Sequence, residues 1–121
     1  MILVAVDDFL FRSKIRTTGK QAGVELVFAQ SSQEVLEQAR ALKPPLVIFD
    51  LNSRKLDPIS TIVAIKQDPA LAAVRTLGFV SHVDADAIGA ARQAGTDQVM
   101  ARSAFAAQLA EILVAGGTGP A

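Results

Sequence analysis

Five side chains that can carry out chemistry stand at the ends of apolar stretches of this sequence: Asp7, Asp8, Asp50, Ser81 and Arg102. Three carboxylates that are held close together repel one another unless a cation lies between them. A hard divalent ion such as Mg²⁺ prefers oxygen ligands of this kind and typically takes one or two carboxylates. A carboxylate can also attack a phosphoryl group, a reaction that Mg²⁺ and cationic or hydroxyl groups around the phosphoryl oxygens assist. The set is therefore suited to phosphoryl chemistry, since Asp50 can act as a nucleophile and Ser81 and Arg102 can supply the groups around the phosphoryl oxygens.

Five short apolar stretches predict the buried strands that would position these side chains: Ile2–Val6, Val24–Ala29, Leu46–Phe49, Thr76–Val80 and Asp97–Ala101. Stretches with helical periodicity follow each of them. Strand and helix alternate five times, so the fold class is α/β, a doubly wound five-stranded parallel sheet with helices on both faces. The last strand is the least apolar and is expected at an edge. Since ligands of such sheets bind at the carboxyl ends of the strands, the five side chains are expected to converge there.

Local signals predict where the helices begin and end. Glycine tolerates the left-handed conformation that ends helices, and Gly23 and Gly95 stand at two such ends. Ser31 opens a Ser-x-x-Glu pattern that is typical of a helix start. Asp57, directly before a proline, and Ser103 are predicted to cap the third and the last helix.

Composition excludes several classes of function. The formal net charge is zero, which offers no electrostatic case for nucleic-acid binding. The chain has no Cys and one His, so disulfides, thiolate metal sites and multi-histidine sites are excluded. The apolar run at the amino terminus is too short for a signal peptide, and no run could span a bilayer, so we expect no membrane contact and a cytoplasmic location. Residues 1–114 are predicted to form one domain, and 115–121 a flexible tail.

Several stretches together resemble the receiver domain of bacterial response regulators, over roughly residues 1–114. They are Leu3–Asp8, Leu46–Asn52, Phe79–Ser81 and the Ala94-Gly95 pair before the last strand. An acidic pair after the first strand, an Asp after the third and a Ser after the fourth form a specific combination. The resemblance, closest to stand-alone chemotaxis-type regulators, implies the flavodoxin-like (βα)5 receiver topology.

The same resemblance implies roles for individual residues. Asp50 would be the phosphoacceptor, and Asp7, Asp8, Asp50 and the backbone carbonyl of Asn52 would hold Mg²⁺. Ser81 would contact the phosphoryl group and shift when that group arrives. The expected function is a single-domain response regulator of two-component signalling, and not an enzyme. A histidine kinase or phosphotransfer protein would supply phosphate, and the modified surface would bind a downstream protein target.

The sequence departs from the family pattern at several positions near the predicted site. Arg102 and Ser103 replace the usual Lys and Pro after the last strand, and Arg and Lys differ in shape and in hydrogen bonding. Val99 stands where the family has an aromatic switch residue, and His82 stands where a small residue is common. These changes motivate the alternative of a phosphorylation-independent protein-interaction scaffold.

Other interpretations of single residues stay open at this point. Asp7 and Asp8 could be helix N-caps, and Arg102 could be solvated or could pair with a carboxylate of the cluster. Arg12, Lys14 and Arg16 suit a solvated helix face or a docking patch. An aspartate-nucleophile phosphatase is disfavoured because Asn52 stands where such enzymes need a second acid. A flavin-binding domain is disfavoured by the acidic loop after the first strand.

Overall fold

A computed structural model of the chain describes residues 1–81 and 84–117. The strands are β1 (Ile2–Ala5), β2 (Leu26–Phe28), β3 (Leu46–Asp50), β4 (Arg75–Val80) and β5 (Gln98–Ala101). The helices are α1 (Phe9–Ala22), α2 (Ser32–Leu42), α3 (Pro58–Gln67), α4 (Ala85–Gln93), α5 (Arg102–Ala107) and α6 (Leu109–Gly117), with a 3₁₀ turn at Pro69–Leu71. The predicted alternation of strand and helix is confirmed.

All strand pairs that the structure describes are parallel, in the order β2-β1-β3-β4-β5. The predicted edge position of the last strand is confirmed. The sheet grows outward from β1 on one side and from β3 on the other, so its topological switch point lies between these two strands. Ligands of open α/β sheets bind outside the carboxyl ends of the strands at such a point. Asp7 and Asp8 follow β1 and Asp50 ends β3, so the fold places all three at the switch point.

Helices cover both faces of the sheet because the apolar side chains of the central strands alternate in direction. In β1 and β3, Leu3, Val47 and Phe49 belong to a core layer that also includes buried residues of α2, α3 and α4. Ile2 and Ile48 belong to the opposite layer, which includes buried residues of α1, α5 and α6. Burial of β1 and β3 on both faces explains why these strands are continuous apolar runs.

One predicted N-cap is wrong, and the other local signals are confirmed in position. Asp57 is the N-cap of α3 and Pro58 begins the helix, but the side chain of Asp57, which lies in the left-handed region with φ of 42°, makes no capping hydrogen bond. Ser103 lies inside α5, because that helix begins directly after β5: Ala101, which pairs with Val80, is the N-cap, two residues earlier than predicted. Ser31 accepts a hydrogen bond from the Glu34 amide at 3.1 Å, and Gly23 ends α1 with φ of 71°.

The last helix extends further toward the carboxyl terminus than the sequence predicts. The predicted single last helix is divided into α5 and α6 at Gln108, and α6 continues to Gly117. Gly116 is buried, and the amino group of Met1 donates to the carbonyl of Gly117 at 3.3 Å, so 115–117 belong to this helix. The rest of the predicted tail, 118–121, and His82 lie outside the described residues. No helix in the described ranges is long and apolar enough to cross a membrane.

Candidate functional site

Asp50 lies at the centre of the candidate site. It is the last residue of β3, it pairs with Phe79 of β4, and only 6% of its surface is exposed. The amide of Asn52 donates to its carboxylate at 3.0 Å. Burial raises the pKa of Asp50, and the negative charges of Asp7 and Asp8 raise it further. The hydrogen bond from the Asn52 amide and the positive charge of Arg102 lower this pKa, but the net effect is a rise. The three carboxylates therefore lie close enough to influence one another.

Asp8 is engaged by two partners. Its side chain accepts a hydrogen bond from the Phe11 amide at 3.0 Å and caps α1, as one of the open interpretations held. Its Oδ2 accepts a second hydrogen bond from Nη2 of Arg102 at 2.8 Å, which forms an ion pair. Arg102, followed by the Phe11 amide, holds the pKa of Asp8 below its usual value. The interpretation that Arg102 pairs with a carboxylate of the cluster is confirmed.

The position of Arg102 is set by the aromatic core beneath it. Its guanidinium carbon lies 4.3 Å from the centre of the Phe11 ring, within the range of a cation–π contact. Phe11 contacts the rings of Phe79 and Phe105 edge-on, with centroid distances of 5.0 and 5.8 Å. The latter two rings stack at 4.7 Å. Arg102 therefore lies on a packed aromatic platform and reaches the acidic cluster from the end of β5.

Ser53 is a site residue that sequence reasoning missed. It is buried, its hydroxyl donates to Oδ2 of Asp7 at 2.9 Å, and its Oγ accepts from the Leu56 amide at 3.3 Å. It therefore fixes the carboxylate of Asp7 and the turn after β3 at the same time. No local pattern marks Ser53 as a site residue, because its partner Asp7 lies 46 residues away in the sequence.

Asn52 links the loop after β3 to the end of β4. Its side-chain oxygen accepts a hydrogen bond from the backbone amide of Ser81 at 2.7 Å. Both residues are exposed. The contact places Ser81 over the loop that begins at Asp50, while the Asn52 amide holds the Asp50 carboxylate. Val99, one strand further, is partly buried, pairs with Gly78 and packs against the α2–α4 core layer.

The structure thus brings all the predicted site residues to one edge of the sheet: Asp7, Asp8, Asp50, Asn52, Ser81 and Arg102. Their donor chemistry fits a hard divalent cation, because the carboxylates and loop carbonyls offer oxygen ligands. Their present side-chain positions do not form a ready metal site. Across residues 1–81 and 84–117, no three His, Cys, Asp or Glu side chains are grouped so that they could hold an ion. Oδ2 of Asp8 already bonds to Arg102, so an ion would have to compete with this guanidinium for the carboxylate.

No family model matches this chain, and no curated protein matches it. Solved structures do match. Chemotaxis response regulator CheY4 of Vibrio cholerae is 16% identical, with a TM-score of 0.80 over 95% of this chain and 96% of that one. The Mn²⁺-bound form of response regulator Rcp1 is 16% identical, with a TM-score of 0.76 over 92% and 89%.

A third similar structure is the phosphorylated cyanobacterial phytochrome response regulator RcpA. It is 23% identical, with a TM-score of 0.70 over 93% of this chain and 87% of that one. Identities this low show the fold alone. The chain has the flavodoxin-like fold of response regulator receiver domains, and the resemblance seen in the sequence is confirmed at the level of structure.

Proposed function

We propose that this chain is the receiver domain of a response regulator and accepts a phosphoryl group on Asp50. The observation that carries the proposal is the placement of Asp50 at the switch point of the sheet, with two further carboxylates and one guanidinium around it. The similar solved structures are response regulators, and one of them is a phosphorylated form. These likenesses support the proposal together with the chemistry of the site.

Asp50 has the properties of a phosphoacceptor. One carboxylate oxygen would form a bond to phosphorus, while the bond from phosphorus to the donor breaks and its electron pair leaves with the donor. For a phosphohistidine donor, the leaving imidazole nitrogen takes up a proton. The backbone amide of Asn52 donates to Oδ1 of Asp50 at 3.0 Å and orients the carboxylate. Arg102 and the hydroxyl of Ser81 would stabilise the phosphoryl oxygens, since charge spreads over them in the transition state.

Asp7, Asp8, Asp50 and the backbone carbonyl of Asn52 would hold a divalent ion, which we propose is Mg²⁺. The ion would supply positive charge that offsets the repulsion between the carboxylates and the incoming phosphoryl group. Ser53 prepares one ligand, because its hydroxyl orients Asp7 at 2.9 Å. Asp8 would become available as a ligand when it gives up its ion pair with Arg102 in exchange for the ion. The released guanidinium would then contact the phosphoryl oxygens.

A histidine kinase or phosphotransfer protein would dock over this edge of the sheet. Phe9 and Leu10, at the start of α1 directly after the acidic pair, are 76% and 79% exposed. Adjacent exposed large apolar side chains are typical of contact surfaces between proteins. We propose that they contact the phosphodonor, and that a downstream protein target binds the modified domain.

The test is phosphorylation by a small-molecule phosphodonor, followed by intact mass measurement. We expect one phosphoryl adduct that requires Mg²⁺ and is absent from Asp50→Asn. The matched control is Asp57→Asn, which removes an exposed carboxylate from the same loop and should leave the adduct unchanged. No adduct in a folded wild-type protein, at Mg²⁺ concentrations that saturate the site, would overturn the proposal.

A second candidate function is a protein-interaction scaffold that needs no phosphate. The observation that favours it is the ion pair between Asp8 and Arg102, which supplies a resident cation where the family would use a metal ion. A scaffold of this kind would bind the same partner equally well before and after treatment with the phosphodonor. The mass measurement on wild type and Asp50→Asn separates the two functions.

A further inference from the structure

A basic stripe runs along α1 on the side of the sheet opposite to β5. Arg12, Arg16 and Lys20 are spaced by four residues, which places them on one face of the helix. The guanidinium carbons of Arg12 and Arg16 lie 5.5 and 4.7 Å from the centre of the Phe28 ring in β2. Both cations therefore lie beside the strand at the edge of the sheet.

The stripe and the edge strand enclose a groove of about 240 Å³, lined by Arg16, Lys20, Val24, Leu26 and Phe28. Helix and strand approach closely here, since a Cβ on Gly19 would lie 2.6 Å from Cδ1 of Leu26. The floor of the groove is apolar, and one wall is cationic.

Within the part of the chain that the structure describes, the cations of this stripe form no ion pair with an acidic side chain. The ion pairs within the described ranges are Arg40–Asp68, Lys66–Asp97 and Arg102–Asp8, and the stripe takes part in none of them. Nε of Arg12 is buried and has no hydrogen-bond partner among residues 1–81 and 84–117. Two guanidinium groups beside one ring repel each other, so an anion placed between them would be attracted by both.

The backbone of β2 offers a second binding element. In the β1–β2 ladder, Ile2 donates to the carbonyl of Glu25, and Ala29 donates to the carbonyl of Val4. Peptide groups of alternate residues in a parallel strand point to opposite sides. The peptide groups of Leu26 and Phe28 therefore point away from β1, along the open edge of the sheet.

We propose that this edge binds an extended, acidic segment of a partner protein, which adds a strand beside β2. Its backbone would pair with Leu26 and Phe28, and its acidic side chains would meet the stripe. The spacings agree: four residues of helix rise about 6 Å, and alternate side chains of a strand repeat about every 6.6 Å. The segment would therefore carry an acid at every second position. Strand addition to an open sheet edge is a general mode of peptide recognition.

The charges disfavour a second copy of this chain as the occupant. Pairing two β2 edges would bring two basic stripes together, and like charges at an interface oppose association. A nucleic acid would satisfy the cations, but it has no peptide backbone to form a regular ladder with both the N–H and the C=O groups of Leu26 and Phe28. The site lies on the far side of β1 from Asp50, so the proposal goes beyond the proposed phosphoacceptor function.

The probe is a short, blocked, fluorescent peptide that alternates glutamate and valine. We expect salt-sensitive binding by fluorescence anisotropy, with amide chemical-shift changes centred on Leu26 and Phe28. Arg12→Gln with Arg16→Gln should weaken binding about fivefold or more, since each exposed charge pair contributes modestly. Lys14→Gln on the same helix is the matched control, because Lys14 is exposed and does not line the groove. Arg16→Lys keeps the charge and should retain most of the binding.

Circular dichroism melts of each variant establish that it is folded. Three results would overturn the proposal: unchanged peptide affinity in the double variant, equal affinity for a peptide N-methylated on alternate amides, or displacement of the peptide by a single-stranded oligonucleotide that binds the same residues more tightly. The second result would show a merely electrostatic surface, and the third a phosphate-binding one.

Discussion

Arg102 donates a hydrogen bond from Nη2 to Oδ2 of Asp8 at 2.8 Å, across 94 residues of sequence. The pair joins the first residue of α5 to the N-cap of α1, directly beside Asp50. An arginine thus provides the positive charge nearest to the acidic cluster in the described structure. Because Asp8 is also a proposed metal ligand, Arg102 and a divalent ion would compete for the same carboxylate.

Replacing Arg102 should therefore strengthen metal binding. We expect Arg102→Ala to bind Mn²⁺ about fivefold more tightly than wild type, because it frees Asp8 and removes a nearby cation. Arg102→Lys should give an intermediate affinity, since Lys keeps the charge but lacks the planar fork. The measurement is the free Mn²⁺ signal in electron paramagnetic resonance titrations. Equal affinities in all three proteins would show that Arg102 does not restrain Asp8.

Ser53 should contribute to stability although it lies in a loop. Ser53→Ala removes the hydrogen bond to Asp7 and the acceptor of the Leu56 amide, and we expect it to lower the free energy of unfolding by about 1–2 kcal/mol. The matched control is Ser60→Ala, since Ser60 is exposed and its hydroxyl makes only a 3.4 Å contact. Urea denaturation measures both. Equal losses in the two variants would contradict the role given to Ser53.

Asp50 should destabilise the fold at neutral pH, because burial and two neighbouring carboxylates raise its pKa. A raised folded-state pKa means that stability is fully present below the unfolded value, 3.8, and is lost as the pH rises through the folded value. We expect Asp50→Asn to melt at a higher temperature than wild type at neutral pH, with the difference shrinking in acid. Melts of Asp57→Asn across the same pH range serve as the control. A lower melting temperature for Asp50→Asn at neutral pH would refute this expectation.

Gly78 should tolerate no side chain. A Cβ at this position in β4 would lie 2.7–2.8 Å from the side chain of Leu51, so we expect Gly78→Ala to cost about 1–3 kcal/mol in unfolding free energy. Gly89→Ala in α4 is the contrasting variant. Nothing lies within 4 Å of its added Cβ, and alanine favours a helix, so a gain of up to about 1 kcal/mol is expected. Chemical denaturation of both variants decides the matter, and a stabilised Gly78→Ala would contradict the close packing.

Sequence patterns were sufficient for the fold class and for the convergence of the three acidic residues at one edge of the sheet, but they did not reveal Ser53. Apolar runs such as Leu46–Phe49 predict strands because burial on both faces leaves no place for polar residues. Since ligands bind at the carboxyl ends of parallel strands, the same runs also predict that Asp7, Asp8 and Asp50 converge. Gly23 and Ser31 were predicted correctly because their signals are local to the chain.

Only the tertiary structure decided what each site residue contacts. The partners of Asp7 and Asp8 are Ser53 and Arg102, 46 and 94 residues away, and no local pattern records distances of that kind. The N-cap predicted at Ser103 was wrong because the last helix begins directly after β5, at Arg102, and Asp57 is an N-cap whose side chain makes no capping hydrogen bond in the conformation of its loop. The sequence by itself therefore determined that the acidic residues after β1 and β3 meet at the switch point. The packing of Arg102 on its aromatic platform and the course of the loop at Ser53 determined which partners bond to Asp8 and Asp7, because those contacts form only when distant segments fold together.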